Sequence, residues 1–156
     1  MKWKHKMRRC AAVFLLFTML LSTGCASDPG EKDADTQARP DENMTVIGVS
    51  QLGSESMWRT ANTASLQNAF SKENGYFLMF NNARQKQENQ IKAIRSFISQ
   101  QVDYIIFSPI VEDGWETVLK EAKEAGIPVI IMDRNVNCDP DLYTAWVGSD
   151  FEEEGR

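Results

Sequence analysis

Histidine is nearly absent from this 156-residue sequence and cysteine is scarce, with 1 of the former and 3 of the latter. The single imidazole, His5, lies in the basic start of the chain. Everything beyond it therefore lacks the residue that Ser-His-Asp catalysis, Cys-His catalysis and histidine-based metal sites require. Long apolar runs are also missing. The longest, 10–21, is short of the roughly 18–20 residues that a spanning helix needs. No P-loop, no G-x-G-x-x-G and no loop with calcium-ligand spacing occurs, so neither a cofactor nor a metal is expected. Basic charge is sparse after the start. Lys2, Lys4, Lys6, Arg8 and Arg9 account for five of the 17 basic residues, while all 22 acidic ones lie beyond position 25, which leaves that part at −10. An acidic body repels phosphate backbones, so nucleic acid is not an expected partner. With 42% apolar and 25% charged residues the composition is otherwise ordinary, and the length suits one domain.

What is present begins with a leader, residues 1–25: a basic start, a short apolar run, then small residues ending in Thr23-Gly24-Cys25. This is the layout of a secretory signal. The Thr-Gly-Cys end resembles the lipobox of bacterial lipoproteins, although Ser22 stands where that motif usually has Leu. The resemblance implies a diacylglycerol thioether on Cys25, which would become the new N-terminus and hold the protein on a membrane. Cys138 is then a lone thiol with no disulfide framework, read as a tolerated loop residue. Residues 26–43 hold no large apolar side chain and eight charged ones, the composition of a flexible tether.

From Met44 the pattern becomes regular. Short apolar runs at 45–50, 76–80, 103–107, 128–132 and 144–147 read as strands. Between them a helix is predicted from the Gly53–Ser56 turn to about Asn74, stopped by Asn74-Gly75. A second follows at 87–100, with Ile91, Ile94 and Ile98 on one stripe. A third carries Trp115, Val118, Leu119, Ala122 and Ala125, and ends at Gly126. Such alternation predicts an α/β fold with a doubly wound parallel sheet. Asp150 caps a further helix with acids in its first turn, and a helix so well begun is expected to continue in a longer protein.

In open α/β sheets ligands bind beyond the carboxyl ends of the strands. Two ends carry suitable chemistry: Q-L-G-S-E-S-M-W-R (51–59) after the first strand and Asp133-Arg134 after the fourth. Together with Q-K-Q-E-N-Q-I-K-A-I-R-S-F (85–97) and G-W-E-T-V-L-K-E-A-K-E-A-G-I-P-V (114–129), these segments resemble bacterial periplasmic sugar-binding proteins. Those are the solute receptors of ABC importers, and the galactofuranose-binding type is the nearest in pattern. The resemblance implies that 44–156 is the amino-terminal lobe of a two-lobed type I receptor. It implies a sugar site lined by Glu55, Ser56, Met57, Trp58 and Arg59, with Asp133 and Arg134 gripping hydroxyls. It also implies a monosaccharide ligand, a membrane permease as partner, an extracytoplasmic location and no enzymatic activity. Met57 stands where those relatives have Gly, which puts the identity of the sugar in question.

The chemistry of the residues fits such roles. A carboxylate accepts and a guanidinium fork donates, which suits vicinal hydroxyls, while an indole covers the C–H face of a sugar ring. Each residue also has a plainer reading. A helical Trp is more often core, and an isolated Asp-Arg pair is more often a surface ion pair. Gln85 and Asn81 are further candidates for the cleft, Trp115 and Trp146 read as packing residues, and Glu112, Asp113 and Glu116 form an acidic cluster. Two rival functions stay open at this level: a sugar-sensing ectodomain, and a two-carboxylate glycoside hydrolase built on Glu55 and Asp133.

Overall fold

A computed structural model describes residues 43–156. The leader and nearly all of the tether, with His5, Cys10 and Cys25, lie outside the described residues. β-Branched and aromatic residues, which pack well on a pleated surface, form the strands. These are β1 (Thr45–Gln51), β2 (Tyr76–Asn82), β3 (Tyr104–Phe107), β4 (Val129–Met132) and β5 (Ala145–Val147). Helices α1 (Met57–Ala69), α2 (Gln87–Ser99), α3 (Glu116–Glu124) and the short α4 (Phe151–Glu154) alternate with them. All pairings are parallel, in the order β2-β1-β3-β4-β5. The expected doubly wound α/β sheet is present. Its order reverses between β1 and β3, and a ligand crevice opens at such a switch point.

The two faces of the sheet differ. Because side chains alternate along a strand, Ile105, Phe107, Val129 and Ile131 face α2 and α3, where they meet Ile94, Phe97, Trp115, Val118 and Leu119. Trp115 is fully buried, its ring 4.8 Å from that of Phe107, in the packing role expected of it. On the other face Ile47, Val49 and Ile106 lie under Leu66 and Phe70. Cover there is thinner, since Arg59 is the sole buried residue of α1.

Crowding on the first face has a sharp point at Gly48 in β1. A Cβ there would stand 2.6 Å from the Phe97 ring. Gly48→Ala is expected to destabilise the fold by about 1–3 kcal/mol, the usual range for overpacking. A lower urea midpoint at unchanged slope would report it, and an unchanged midpoint would show that Phe97 yields freely.

One boundary departs from expectation. The first helix ends at Ala69 rather than near Asn74. Phe70 leaves the helical conformation and packs edge-on against Tyr76 at 5.2 Å. Extended Ser71 then starts a separate 3-10 turn, Lys72–Asn74, closed by Gly75 at φ +84°. The Asn-Gly stop is real, but it closes that turn, because a tertiary contact interrupts the helix first. Asp150 does cap α4, its carboxylate accepting the Glu153 N–H at 3.0 Å.

Candidate functional site

Beyond the carboxyl ends of β1, β3 and β4 three loops border an open concavity of about 640 Å³. Its lining is Glu55, Ser56, Trp58 and Arg59 from the first loop and α1, Glu112 from the second, and Asp133 and Arg134 from the third.

Ser56 sets the first wall. Its backbone is extended (φ −137°, ψ 157°) and its hydroxyl oxygen accepts the Arg59 N–H at 3.2 Å, making it the N-cap of α1. The capped first turn carries Trp58 and Arg59. Arg59 is only 7% exposed. Its Nη1 donates to Asp133 Oδ2 at 2.8 Å, its Nε lies 3.6 Å from Glu55 Oε1, and its Cζ sits 4.7 Å from the Trp58 ring centroid. The guanidinium thus ties two carboxylates to an indole that remains 53% exposed. Met57, one residue earlier, is 90% exposed and is not among the lining residues.

Asp133 is held in the left-handed region at φ +72°, which Asp tolerates better than most residues. Its N–H donates to Val147 O at 2.8 Å, its carbonyl accepts from Trp146 Nε1 at 3.2 Å, and its carboxylate accepts from Arg59. Gly148 approaches the Asp133 carbonyl so closely that no Cβ fits there. Trp146 therefore does more than pack, because it also fixes the peptide that aims Asp133. Trp146→Phe keeps a ring but loses the donor, and is expected to weaken ligand binding roughly three- to tenfold. Gly148→Ala should weaken it further by displacing the same carbonyl. Sugar titrations beside thermal melts check this, and a drop in melting temperature with unchanged affinity would reduce both residues to structural ones.

The plainer reading of Asp133-Arg134 as an ion pair with each other does not hold. The ion pair of Asp133 runs to Arg59, while exposed Arg134 donates Nη1 to the Ile110 carbonyl at 3.2 Å. With Asp133 in a left-handed turn, the two neighbours serve different loops although both line the concavity. Gln85 and Asn81 do not line it. The Gln85 N–H donates to Leu52 O at 2.7 Å, and Asn81 Oδ1 is buried without a protein partner.

Buried amides hold the loops in place. Gln90 on α2 donates Nε2 to Ser108 O at 2.6 Å and accepts the Ile110 N–H at 3.1 Å, clasping the chain after β3. Gln51 accepts the Leu52 N–H and donates to Asn62 Oδ1 at 2.8 Å, joining the end of β1 to α1. The Ser108 hydroxyl donates to Met132 O at 3.0 Å, linking the ends of β3 and β4. Each bond satisfies a buried group, so the loops carrying the lining residues rest on fixed backbone.

Glu112 is the lining residue that sequence reasoning missed, having been placed in an acidic cluster. A signal for it existed: in the order β1-β3-β4 the loop after β3 lies between the two strand ends already singled out. Cys138 is a part-buried loop residue. Burial first, then Glu116 and Asp139, push its thiol up from its ordinary value, so it stays protonated near neutrality. No group of three or more His, Cys, Asp or Glu able to hold a metal occurs among the described residues. The arrangement can therefore offer charged acceptors, charged donors and an aromatic face to a small polar ligand.

Comparison with known proteins gives concordant results. Galactofuranose-binding protein YtfQ of Escherichia coli (strain K12) is 48% identical over 112 residues, which are 71% of this chain and 35% of that protein. The arabinose ABC transporter binding protein of Shewanella sp. ANA-3, solved with α- and β-L-arabinofuranose, superposes with a TM-score of 0.68 at 57% identity, covering 72% of this chain and 37% of that one. The fructose-binding periplasmic domain of the hybrid two-component system BT1754 gives 0.61 at 31% identity, covering 70% and 36%. This chain spans about a third of the length of the curated relatives it matches. The family model described as a periplasmic binding protein domain matches residues 47–156, and the chain belongs to that family.

Proposed function

We propose that this chain supplies one bank of the sugar site of an extracytoplasmic receptor, and that the receptor delivers a monosaccharide in furanose form to an ABC importer. The observation that carries the reading is the Trp58–Arg59–Asp133 constellation at the switch point of the sheet. It combines a half-exposed indole for the C–H face of a sugar with charged acceptors and donors for its hydroxyls. Charge-assisted hydrogen bonds of this kind are worth about 1.5–3 kcal/mol each. The furanose form is supported by the names of relatives, which bind galactofuranose or arabinofuranose. The family model and the named relatives are binding proteins, which supports a role of capture without catalysis.

The test is a titration of the protein with L-arabinose, methyl β-D-galactofuranoside and methyl β-D-glucopyranoside, followed by NMR shifts of the Trp58 and Trp146 indole N–H groups. Saturable shifts with the first two sugars and none with the third support the reading. Equal responses to all three, or none at all, overturn it. A second reading, capture for signalling, is favoured by the BT1754 likeness. Loss of labelled sugar uptake in a deletion strain supports import, whereas intact uptake with a lost transcriptional response supports sensing.

We further propose that Cys25 carries the lipid that keeps this receptor at the membrane surface, with residues 26–43 as its tether. Acyl chains contribute about 0.8 kcal/mol per buried CH₂, so two of them suffice for stable anchoring. Palmitate labelling should occur in the parent and vanish in Cys25→Ser; equal labelling of the two would remove the anchor.

A further inference from the structure

Five charged side chains line the cleft: Glu55, Glu112 and Asp133 against Arg59 and Arg134. Three of them are committed to one another, since Arg59 lies 2.8 Å from Asp133 and 3.6 Å from Glu55. The remaining two are not. Arg134 spends one N–H on the Ile110 carbonyl at 3.2 Å and is otherwise exposed. The Glu112 carboxylate makes no hydrogen bond or ion pair with any described residue; its backbone carbonyl alone is used, by the Asn137 N–H at 2.8 Å. Arg134 and Glu112 thus share the cleft without an ion pair between them. The Glu112 loop is also well held, by the Gln90 clasp, the Trp115 indole donating to Val111 O at 2.7 Å and the Asn137 amide, so the carboxylate stands on fixed backbone.

An uncommitted guanidinium in a cleft is by itself a receptor for a carboxylate or phosphate. An uncommitted carboxylate in the same cleft cancels that attraction and adds an acceptor for hydroxyl or ammonium donors. With three carboxylates against two guanidiniums the cleft has a net charge of −1, set within an acidic body. We infer that Glu112 is the specificity-determining residue for ligand charge: it accepts a hydrogen bond from the bound sugar and keeps Arg134 from admitting sugar acids and sugar phosphates. The cleft is then selective for neutral polyhydroxylated ligands and also admits amino-substituted ones. This rests on the sugar-binding reading above.

The experiment pairs two ligands that differ in one charge, methyl β-D-galactofuranoside and its C6-oxidised uronate, titrated into the wild-type protein and into Glu112→Gln. The wild type is expected to prefer the neutral sugar by roughly tenfold or more at low salt, a gap that narrows as salt screens the carboxylate. In Glu112→Gln the uronate should gain while the neutral sugar loses roughly three- to tenfold, so that the preference collapses. Because Glu112 is exposed, an unchanged melting temperature is expected. Intact wild-type binding with the same neutral-to-uronate ratio in Glu112→Gln overturns the inference and leaves the sugar reading standing. Wild-type protein that binds neither ligand overturns the sugar reading, and the inference with it.

Discussion

Asp133→Ala is expected to abolish detectable sugar binding. The carboxylate accepts from Arg59 at 2.8 Å and faces the cleft, so its removal deletes a charged acceptor and leaves a 7%-exposed guanidinium short of its closest partner. Truncating one member of such a pair typically loses about 2–5 kcal/mol of binding energy. Glu55 at 3.6 Å and the Trp58 ring retain part of the compensation for Arg59, which places the expected loss of fold stability below that of binding. Alanine tolerates φ +72° less well than aspartate, so the effect on stability needs a control. Asp133→Asn supplies one, because asparagine accepts the same backbone and offers Arg59 a neutral oxygen. It should melt near the wild type and still lose roughly tenfold or more in affinity, the difference between a charged and a neutral hydrogen bond. Affinity is best read by calorimetry in a chimaera that places residues 45–147 into the arabinose-binding relative. Wild-type affinity in Asp133→Asn would take the charge of this residue out of recognition.

The described residues alone are expected to hold a sugar no tighter than the millimolar range. The cleft is open: Trp58 is 53% exposed, and Arg134 and Glu112 are exposed as well. A sugar seated here keeps one face in water, and its outward hydroxyls have no charged partner. Enclosed sites bury most of a ligand's surface, and closure of a second bank is how hinged receptors achieve it. Forgoing three charge-assisted bonds forfeits about 4.5–9 kcal/mol, and at 1.4 kcal/mol per tenfold that carries a micromolar site to millimolar or weaker. NMR titration measures constants in that range directly. Micromolar binding would mean that these residues complete the site by themselves.

Much of the architecture was legible because the strands announce themselves. Val46-Ile47, Ile105-Ile106 and Ile130-Ile131 are apolar runs too short for helices, and the Ile91–Ile94–Ile98 stripe has helical spacing only. What escaped was decided by tertiary contacts, whether near or far along the chain. No local pattern says that Phe70 will leave its helix to meet Tyr76, 6 positions along. Likewise, adjacency in sequence offers Arg134 as the plain ion-pair partner of Asp133, whereas a left-handed turn at Asp133 gives its carboxylate to Arg59, 74 positions away. Most of the cleft lining was readable because strand ends in a parallel sheet converge on one edge. Glu112 was not, because a solvated acidic loop looks the same whether or not the strand order places it between two ligand-bearing ends.

The thin attachment of α1 has a consequence for how occupancy reads out. Its one buried side chain is Arg59, so beside the Leu66 packing and the Gln51–Asn62 bond a main anchor of this helix is the guanidinium whose partner carboxylate lines the cleft. The Arg59–Asp133 contact is therefore shared between the cleft and the local folding of α1. Segments with few buried apolar contacts open at the low end of the free-energy range, well before the global transition. Backbone amides of α1 should then exchange with solvent far sooner than those of β3 or α3. A ligand that reinforces the Arg59–Asp133 pair would slow that exchange selectively, giving a record of capture within a helix whose fold is otherwise only loosely secured.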